Sequence, residues 1–304
     1  MPARLCVHLP DDAALVRVLE EHRNYTLGRA AECEVPVQHS SVSRRHASLI
    51  HDALGWRLTD LESKNGLRVG GERVSSRPLR DGQWFSIGDV FCKFELIEPA
   101  EAGALEERAQ QLRRNSQAWA ERIQHAVAVE DVLGGLITAM VELADCRRGF
   151  LLAGNPVDGL RLAACYRLDP SELRSRAFQY STGAVERALQ ERRPVFLSNP
   201  SDTAWLRERA SVFAQDLRVL ACLPLVHNGA LLGAAYVDSD EDGKVLTELD
   251  AEILGAFADQ AAMALAATEL QSALSRIESI VAVGGGAADA GAPRWVELAE
   301  AGKT

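Results

Sequence analysis

Apolar and polar positions alternate with period two through the first third of the chain. Arg4-Leu5-Cys6-Val7-His8-Leu9, Ala47-Ser48-Leu49-Ile50, Trp56-Arg57-Leu58-Thr59 and Phe91-Cys92-Lys93-Phe94-Glu95-Leu96 each read as a half-buried strand. Turn residues separate them, as in Lys64-Asn65-Gly66, Val69-Gly70-Gly71 and Asp81-Gly82. Many short strands at this spacing predict an all-β sandwich over residues 1–98. Glu98-Pro99-Ala100-Glu101-Ala102-Gly103 breaks the alternation and reads as a linker, with 99–114 leading into a helix.

From Leu105 the period becomes helical. Leu105, Ala109, Leu112, Ser116, Trp119, Ile123, Ala126 and Val127 fall three or four apart, and a second helix is expected from Val132 to Asp145. Strands follow at Gly149–Ala153, Leu160–Tyr166 and Pro194–Leu197, with a capped helix start at Ser181-Thr182 and a helical insert before Val219. Two apolar runs from Val219 to Asp238 flank His227-Asn228-Gly229, a strong hairpin signal. A long helix is expected from Thr247 to Ile280, with Ile253, Phe257, Ala261, Leu265, Leu274 and Ile277 read as one apolar stripe. Sheet packing leaves Leu270, Leu274, Ile277, Ile280 and Val281 without a partner, which predicts a parallel homodimer through the flanking helices. The second domain spans 115–270, and 271–304 reads as a helical extension with a Gly/Ala-rich tail from Gly284. The fold class is therefore a two-domain α+β chain.

Charge narrows the function. The chain has 304 residues and a formal net charge of −10, yet residues 1–98 carry 13 basic and 14 acidic side chains. The excess acid lies in the second domain, which disfavours nonspecific nucleic-acid binding. No run approaches 18 uninterrupted apolar residues and the start lacks a secretory apolar stretch, so no membrane association and a cytoplasmic location are expected. The six cysteines are scattered, none closer than 19 positions to the next, and read as small buried hydrophobes rather than metal ligands or disulfides. A Walker loop, the protein-kinase motifs and a G-x-S-x-G elbow are absent, and Gly284-Gly285-Gly286 reads as linker.

The chemistry of the first domain sits at strand ends. Gly28-Arg29, Ser43-Arg44-Arg45-His46, Asp60-Leu61-Glu62-Ser63-Lys64-Asn65-Gly66 and Leu79-Arg80-Asp81-Gly82-Gln83-Trp84-Phe85-Ser86-Ile87-Gly88 occupy loops that a sandwich brings together. A guanidinium matches phosphate oxygens, a serine hydroxyl adds a donor, and an asparagine amide both gives and accepts. These motifs resemble the forkhead-associated (FHA) domain, a β-sandwich that reads phosphothreonine. The resemblance implies that Arg29 and Ser43 contact phosphate, while Arg44 and Asn65 contact the phosphate loop or the peptide backbone. Gly28, His46 and Gly66 become architectural, His46 through hydrogen bonds within its loop. Lys64 stands where the family usually has Thr; it removes a hydroxyl and offers a cation for the phosphate. Arg45 and Arg68 read as solvated or rim charges.

In the second domain, Ala188-Leu189-Gln190-Glu191-Arg192-Arg193-Pro194-Val195, Leu217-Arg218-Val219-Leu220-Ala221-Cys222-Leu223-Pro224-Leu225 and Gly233-Ala234-Ala235-Tyr236-Val237-Asp238-Ser239 resemble a GAF domain. That resemblance implies an antiparallel sheet with helices on its faces and a pocket on one side. The pocket holds either an unidentified small-molecule effector or side chains alone. No cofactor is expected: the cyclic-nucleotide signature is absent, the single Lys of this domain, Lys244, falls in a loop, Cys165 and Cys222 lie in strands, and His125 and His227 lack a second ligand. The combination resembles the sensory half of certain bacterial transcription activators. It implies a non-enzymatic, dimeric signalling adaptor docking a threonine-phosphorylated protein, a Ser/Thr kinase or its substrate. The alternative is a transcription-linked sensor in which the second-domain pocket carries the signal and the first domain binds protein without phosphate.

Overall fold

A computed structural model of the chain describes residues 1–126, 128–155, 159–169, 179–198, 219–241 and 244–285. Two sheets form the N-terminal sandwich. The first has the order β2 (Leu15–Leu19), β1 (Ala3–His8), β11 (Val90–Leu96), β10 (Gln83–Ile87), β7 (Leu67–Val69), β8 (Glu72–Val74). The second has the order β4 (Val35–Pro36), β3 (Tyr25–Gly28), β5 (Ala47–Asp52), β6 (Gly55–Asp60), β9 (Ser76–Pro78). Alternation does the sorting: Ala3, Leu5 and Val7 of β1 and Val90, Cys92 and Phe94 of β11 are buried, while their neighbours lean outward.

The expected linker is helix. Helix α1 runs from Pro99 to Gln124. Pro99 occupies the first turn, where a missing N–H costs nothing, and Glu101 suits the positive end of the helix dipole. Its predicted stripe is real: Leu105, Ala109, Leu112, Ser116 and Trp119 are half-buried and Ile123 is buried, while Val127 lies outside the described residues. Helix α2 covers Val129–Leu143.

The second domain is an antiparallel sheet in the order β13 (Gly159–Tyr166), β12 (Arg148–Asn155), β16 (Ala230–Ser239), β15 (Val219–His227), β14 (Val195–Ser198). Asn228 and Gly229 close the β15–β16 hairpin with φ of 49° and 79°, the left-handed pair a two-residue turn demands. Helix α3 (Gln179–Glu191) begins before Ser181, so Ser181 and Thr182 lie inside it rather than capping it. The expected helical insert before Val219 lies outside the described residues.

Helix α4 (Glu248–Gly285) is long and apolar enough to cross a membrane by composition, but Leu254, Phe257, Ala261 and Leu265 are buried in the domain core with Leu136, Ala221 and Val237. Gly284 and Gly285 end this helix, and the tail beyond them lies outside the described residues. The single stripe expected along α4 is two faces. Leu265 and Leu274 are nine residues apart, which places them about 180° apart around a helix. Leu265 is buried, whereas Leu270, Leu274 and Ile277 are 63%, 52% and 57% exposed.

The two domains touch through the turn between β1 and β2. Ala14 pairs in parallel with Thr247: its N–H donates to Leu246 O at 2.8 Å and its carbonyl accepts from Glu248 N–H at 3.0 Å. Phe196 N–H of β14 donates to Asp11 O at 3.2 Å, and Ala13 is buried within the second domain's core. Arg17–Glu248 and Arg187–Asp11 ion pairs flank the seam at 2.8 and 2.9 Å.

Candidate functional site

Three loops at one end of the sandwich are tied together by hydrogen bonds. The chain leaves β3 at Gly28, whose position is set by space: an added Cβ would lie 2.2 Å from Arg44 O and 2.9 Å from Arg45 Cα. That close approach lets Arg29 N–H donate to Ser43 O at 2.9 Å and Ala30 N–H donate to Arg44 O at 3.0 Å. Arg29 and the 43–46 loop are thereby held side by side.

His46 is the buried post of this arrangement, with no exposed surface. Its Nδ1 accepts from Ser43 N–H at 3.2 Å and its Nε2 meets Gly66 O at 3.1 Å. An accepting Nδ1 and a carbonyl opposite Nε2 require the neutral Nε2–H tautomer. Burial pushes the imidazole pKa below its ordinary value, consistent with that state. The sequence reading confines His46 to its own loop; the structure extends it to the second loop through Gly66, which turns with φ +78°.

Ser43 Oγ accepts from Lys64 N–H at 3.0 Å, so its own O–H remains free to donate. Asn65 Nδ2 donates to Ser41 O at 2.7 Å, which leaves its Oδ1 and one N–H for a ligand. Arg29 Nε reaches Val42 O at 3.3 Å, while Arg29, Arg44, Lys64 and Asn65 are all exposed. Among the described residues none of Arg29, Arg44, Arg45 or Lys64 has an ion-pair partner. The result is a rim of cations without ion-pair partners around a hydroxyl and an amide, an arrangement suited to a phosphate on an extended peptide.

Two serines escaped the sequence reading. Ser41 joins three loops: its carbonyl takes Asn65, while its Oγ takes Asp89 N–H at 2.9 Å and contacts His39 Nδ1 at 2.7 Å. Ser63 is buried, donates to Asp60 Oδ1 at 2.5 Å and accepts from Gly66 N–H at 3.0 Å. The Asp60-x-x-Ser63 spacing is the one signal that pointed to the latter, as a local side-chain turn.

A cleft of about 1240 Å³ lies elsewhere, between the first sheet, α1 and the start of α4, with Trp84, Lys93, Leu112 and Glu248 on its walls. In the second domain Phe150 and Tyr236 stack at 4.7 Å beside a buried Asp238. Asp238 accepts from Arg148 Nε at 2.8 Å and Tyr236 Oη at 2.9 Å, and burial raises its pKa. Cys222 is fully buried, and burial pushes its thiol up to about 12. No cluster of three His, Cys, Asp or Glu able to hold a metal ion occurs among the described residues.

Comparison with known families matches this division. The FHA domain model matches residues 25–88, a span holding every candidate side chain of the phosphate site, and a GAF domain model matches residues 126–266. The chain is thus an FHA domain followed by a GAF domain. No curated protein matches it. Similar solved structures include the FHA domain of CT664 from Chlamydia trachomatis (22% identity, 32% of this chain, 100% of that one, TM-score 0.30). Another is FHA-1 of Rv1747 from Mycobacterium tuberculosis (28%, 32% and 100%, TM-score 0.28). For the second domain there is the GAF domain of a phosphoenolpyruvate-protein phosphotransferase from Coxiella burnetii (17%, 54% and 98%, TM-score 0.43). An FHA domain joined to a GAF domain is the make-up of a signalling adaptor, and phosphothreonine docking is typical of FHA domains.

Proposed function

We propose that this chain is a non-catalytic adaptor that docks a threonine-phosphorylated protein, a Ser/Thr kinase or its substrate. Arg29, Ser43 and Lys64 take the phosphate, and Arg44 and Asn65 take the phosphate loop and peptide backbone. The observation that carries this reading is the Ser43 geometry. Its Oγ accepts from Lys64 N–H, which holds the side chain in place and leaves its O–H available to a phosphate within a rim of cations without ion-pair partners among the described residues. A charge-assisted hydrogen bond contributes about 2 kcal/mol, roughly 30-fold in affinity. The test is binding to an oriented phosphothreonine peptide library. Phosphate-dependent binding that collapses in Arg29→Ala and Ser43→Ala supports the reading; equal binding by wild type and both variants refutes it.

The adaptor acts as a parallel homodimer. Met263, Ala267, Leu270, Leu274 and Ile277 are exposed on α4 at spacings of four, three, four and three, the seam of a two-stranded coiled coil. Six unpaired cysteines, five of them buried, suit the reducing cytoplasm. The GAF domain supplies the dimer scaffold, and a small-molecule effector remains its second proposed use.

A further inference from the structure

The seam between the domains lies at the same end of the sandwich as the phosphate loops. β1 ends at His8, opposite Phe91 of β11, and the Gly88–Asp89 turn joins β10 to β11 at that end. The turn is packed on the site. Asp89 N–H donates to Ser41 Oγ at 2.9 Å, Gly88 N–H reaches Gly66 O at 3.4 Å, and a Cβ on Gly88 would lie 2.6 Å from Ser41 O. Ser41 O in turn holds the Asn65 amide. In the other direction the chain runs from His8 to Asp11 in three residues, at most about 10 Å. Residues 9–14 therefore have the phosphate loops behind them and the GAF domain in front.

This short segment meets three GAF elements at once. Asp11 O accepts Phe196 N–H of β14, the Asp11 carboxylate pairs with Arg187 of α3, and Ala14 O takes Glu248 N–H, the first amide of α4. Val195 of β14 and Val185, Ala188 and Leu189 of α3 pack with Tyr236 in one core cluster, while Phe196 and Leu254 pack with Ala13 in another. A displacement of residues 9–14 is thus felt in both cores. Two arrangements are open to the segment. Asp11 holds φ 60°, a left-handed conformation that a non-glycine residue keeps where its surroundings impose it. Arg187 lies 2.9 Å from Asp11 and 2.9 Å from Glu191, so it keeps a carboxylate partner if Asp11 withdraws. Seated and withdrawn forms differ by main-chain hydrogen bonds and not by a stranded cation.

We propose that residues 9–14 are a two-state clasp that couples phosphopeptide docking to the GAF domain: the seated turn favours the docked peptide, and the docked peptide keeps the turn seated. A bound peptide orders Asn65 and, through Ser41, the Gly88–Asp89 turn and the adjoining ends of β1 and β11. A turn already seated leaves less to be ordered. Coupling between binding equilibria is reciprocal, so unseating the turn weakens the peptide by the factor with which the peptide strengthens the seat. This regulation of the docking site rests on the phosphothreonine reading, and the experiment separates the two.

The probe is one phosphothreonine peptide taken from the library, with its unphosphorylated counterpart as control. Amide hydrogen exchange by NMR and dissociation constants are measured on the full-length wild type, Asp11→Asn, Arg187→Gln and the double variant. The Asp11 and Arg187 side chains are 40% and 44% exposed, so the fold should tolerate both changes. The amides of Phe196 and Glu248 are the reporters, because both donate to the clasp from the GAF side. Saturating phosphopeptide should slow their exchange about fivefold in wild type and less in the variants, and the unphosphorylated peptide should leave it unchanged. Each single variant should weaken the phosphopeptide about two- to threefold, and the double variant no further, because the two side chains share one contact. Unchanged exchange at both amides, or wild-type affinity in Arg187→Gln, overturns the clasp while phosphothreonine docking stands. If no phosphopeptide binds the wild type, the docking reading falls and the clasp with it.

Discussion

Replacing His46 with Ala tests whether the phosphate loops are held by one neutral, buried imidazole. The substitution removes the acceptor for Ser43 N–H at 3.2 Å and the partner of Gly66 O at 3.1 Å, in a site with no solvent access. Each buried polar group left unsatisfied costs about 1–3 kcal/mol. For the two groups left without partners we take about 3 kcal/mol in total, toward the low end of that range. For a domain of this size, each kcal/mol moves the midpoint by about 4–8 °C, so a fall of about 12–24 °C is expected for the FHA transition. The pH dependence gives a second, sharper readout. Burial lowers the folded-state pKa of His46, so as pH falls the unfolded chain takes up the proton first. The stability that neutral His46 contributes is present above about pH 6.5, its ordinary value, and is lost as pH drops toward the folded pKa. One proton of difference changes stability by up to about 1.4 kcal/mol per pH unit. His8, whose pKa burial lowers to about 4, acts in the same direction, but it is present in both proteins. The assay is therefore the difference in thermal midpoint between wild type and His46→Ala across pH 8 to 5, which should narrow on the acid side. Equal midpoints at pH 8, or a difference independent of pH, would refute the neutral-post argument.

Other expectations follow from the same geometry. Gly28→Ala forces a Cβ against Arg44 O and Arg45 Cα, which are backbone atoms that cannot swing aside; phosphopeptide affinity by fluorescence polarisation should fall by more than about tenfold, at an overpacking cost of about 1–3 kcal/mol in a melt. Lys64→Gln removes an unpaired cation from the rim, so binding should weaken about threefold and titrations in added salt should show a shallower slope. Leu274→Glu places a charge in the exposed seam of α4, and light scattering should shift from about twice 33.0 kDa to a single chain; a wild type already at 33.0 kDa removes the dimer. Cys222 should resist alkylation in the native protein at pH 8 and react once the chain is unfolded, because burial holds it as a thiol.

The sandwich and the loops that carry Arg29, Ser43 and Asn65 were legible because their geometry restricts residue type. A site that puts another backbone 2.2 Å from a Cβ admits only Gly28, and a turn at φ +78° favours Gly66. Arg29, Ser43, Lys64 and Asn65 sit next to such markers. Ser41 and Ser63 carry as much of the loop architecture, yet a lone serine can solvate anywhere, so its partners had to be seen. The apparent linker at Glu98–Gly103 misled because Pro and Gly read as breakers, whereas proline at the first turn of α1 starts a helix. On α4, apolar residues at three- and four-residue spacings supported one stripe or two; burial of Leu265 beside exposure of Leu274 decides between them. Pairing of Ala14 with Thr247 joins residues far apart in sequence and leaves no periodic trace.

That pairing has a geometric consequence. Tethered modules on a flexible string sample many separations, and their string length sets how often both engage. Here main-chain hydrogen bonds between Ala14 and both Leu246 and Glu248 fasten the FHA domain to the root of α4, and one from Phe196 to Asp11 fastens it to β14. In the proposed dimer the two docking sites would then behave as the jaws of a caliper rather than as beads on a thread. Partners would be selected by the distance between their phosphorylated threonines, and a mismatch in that distance would forfeit the second contact altogether.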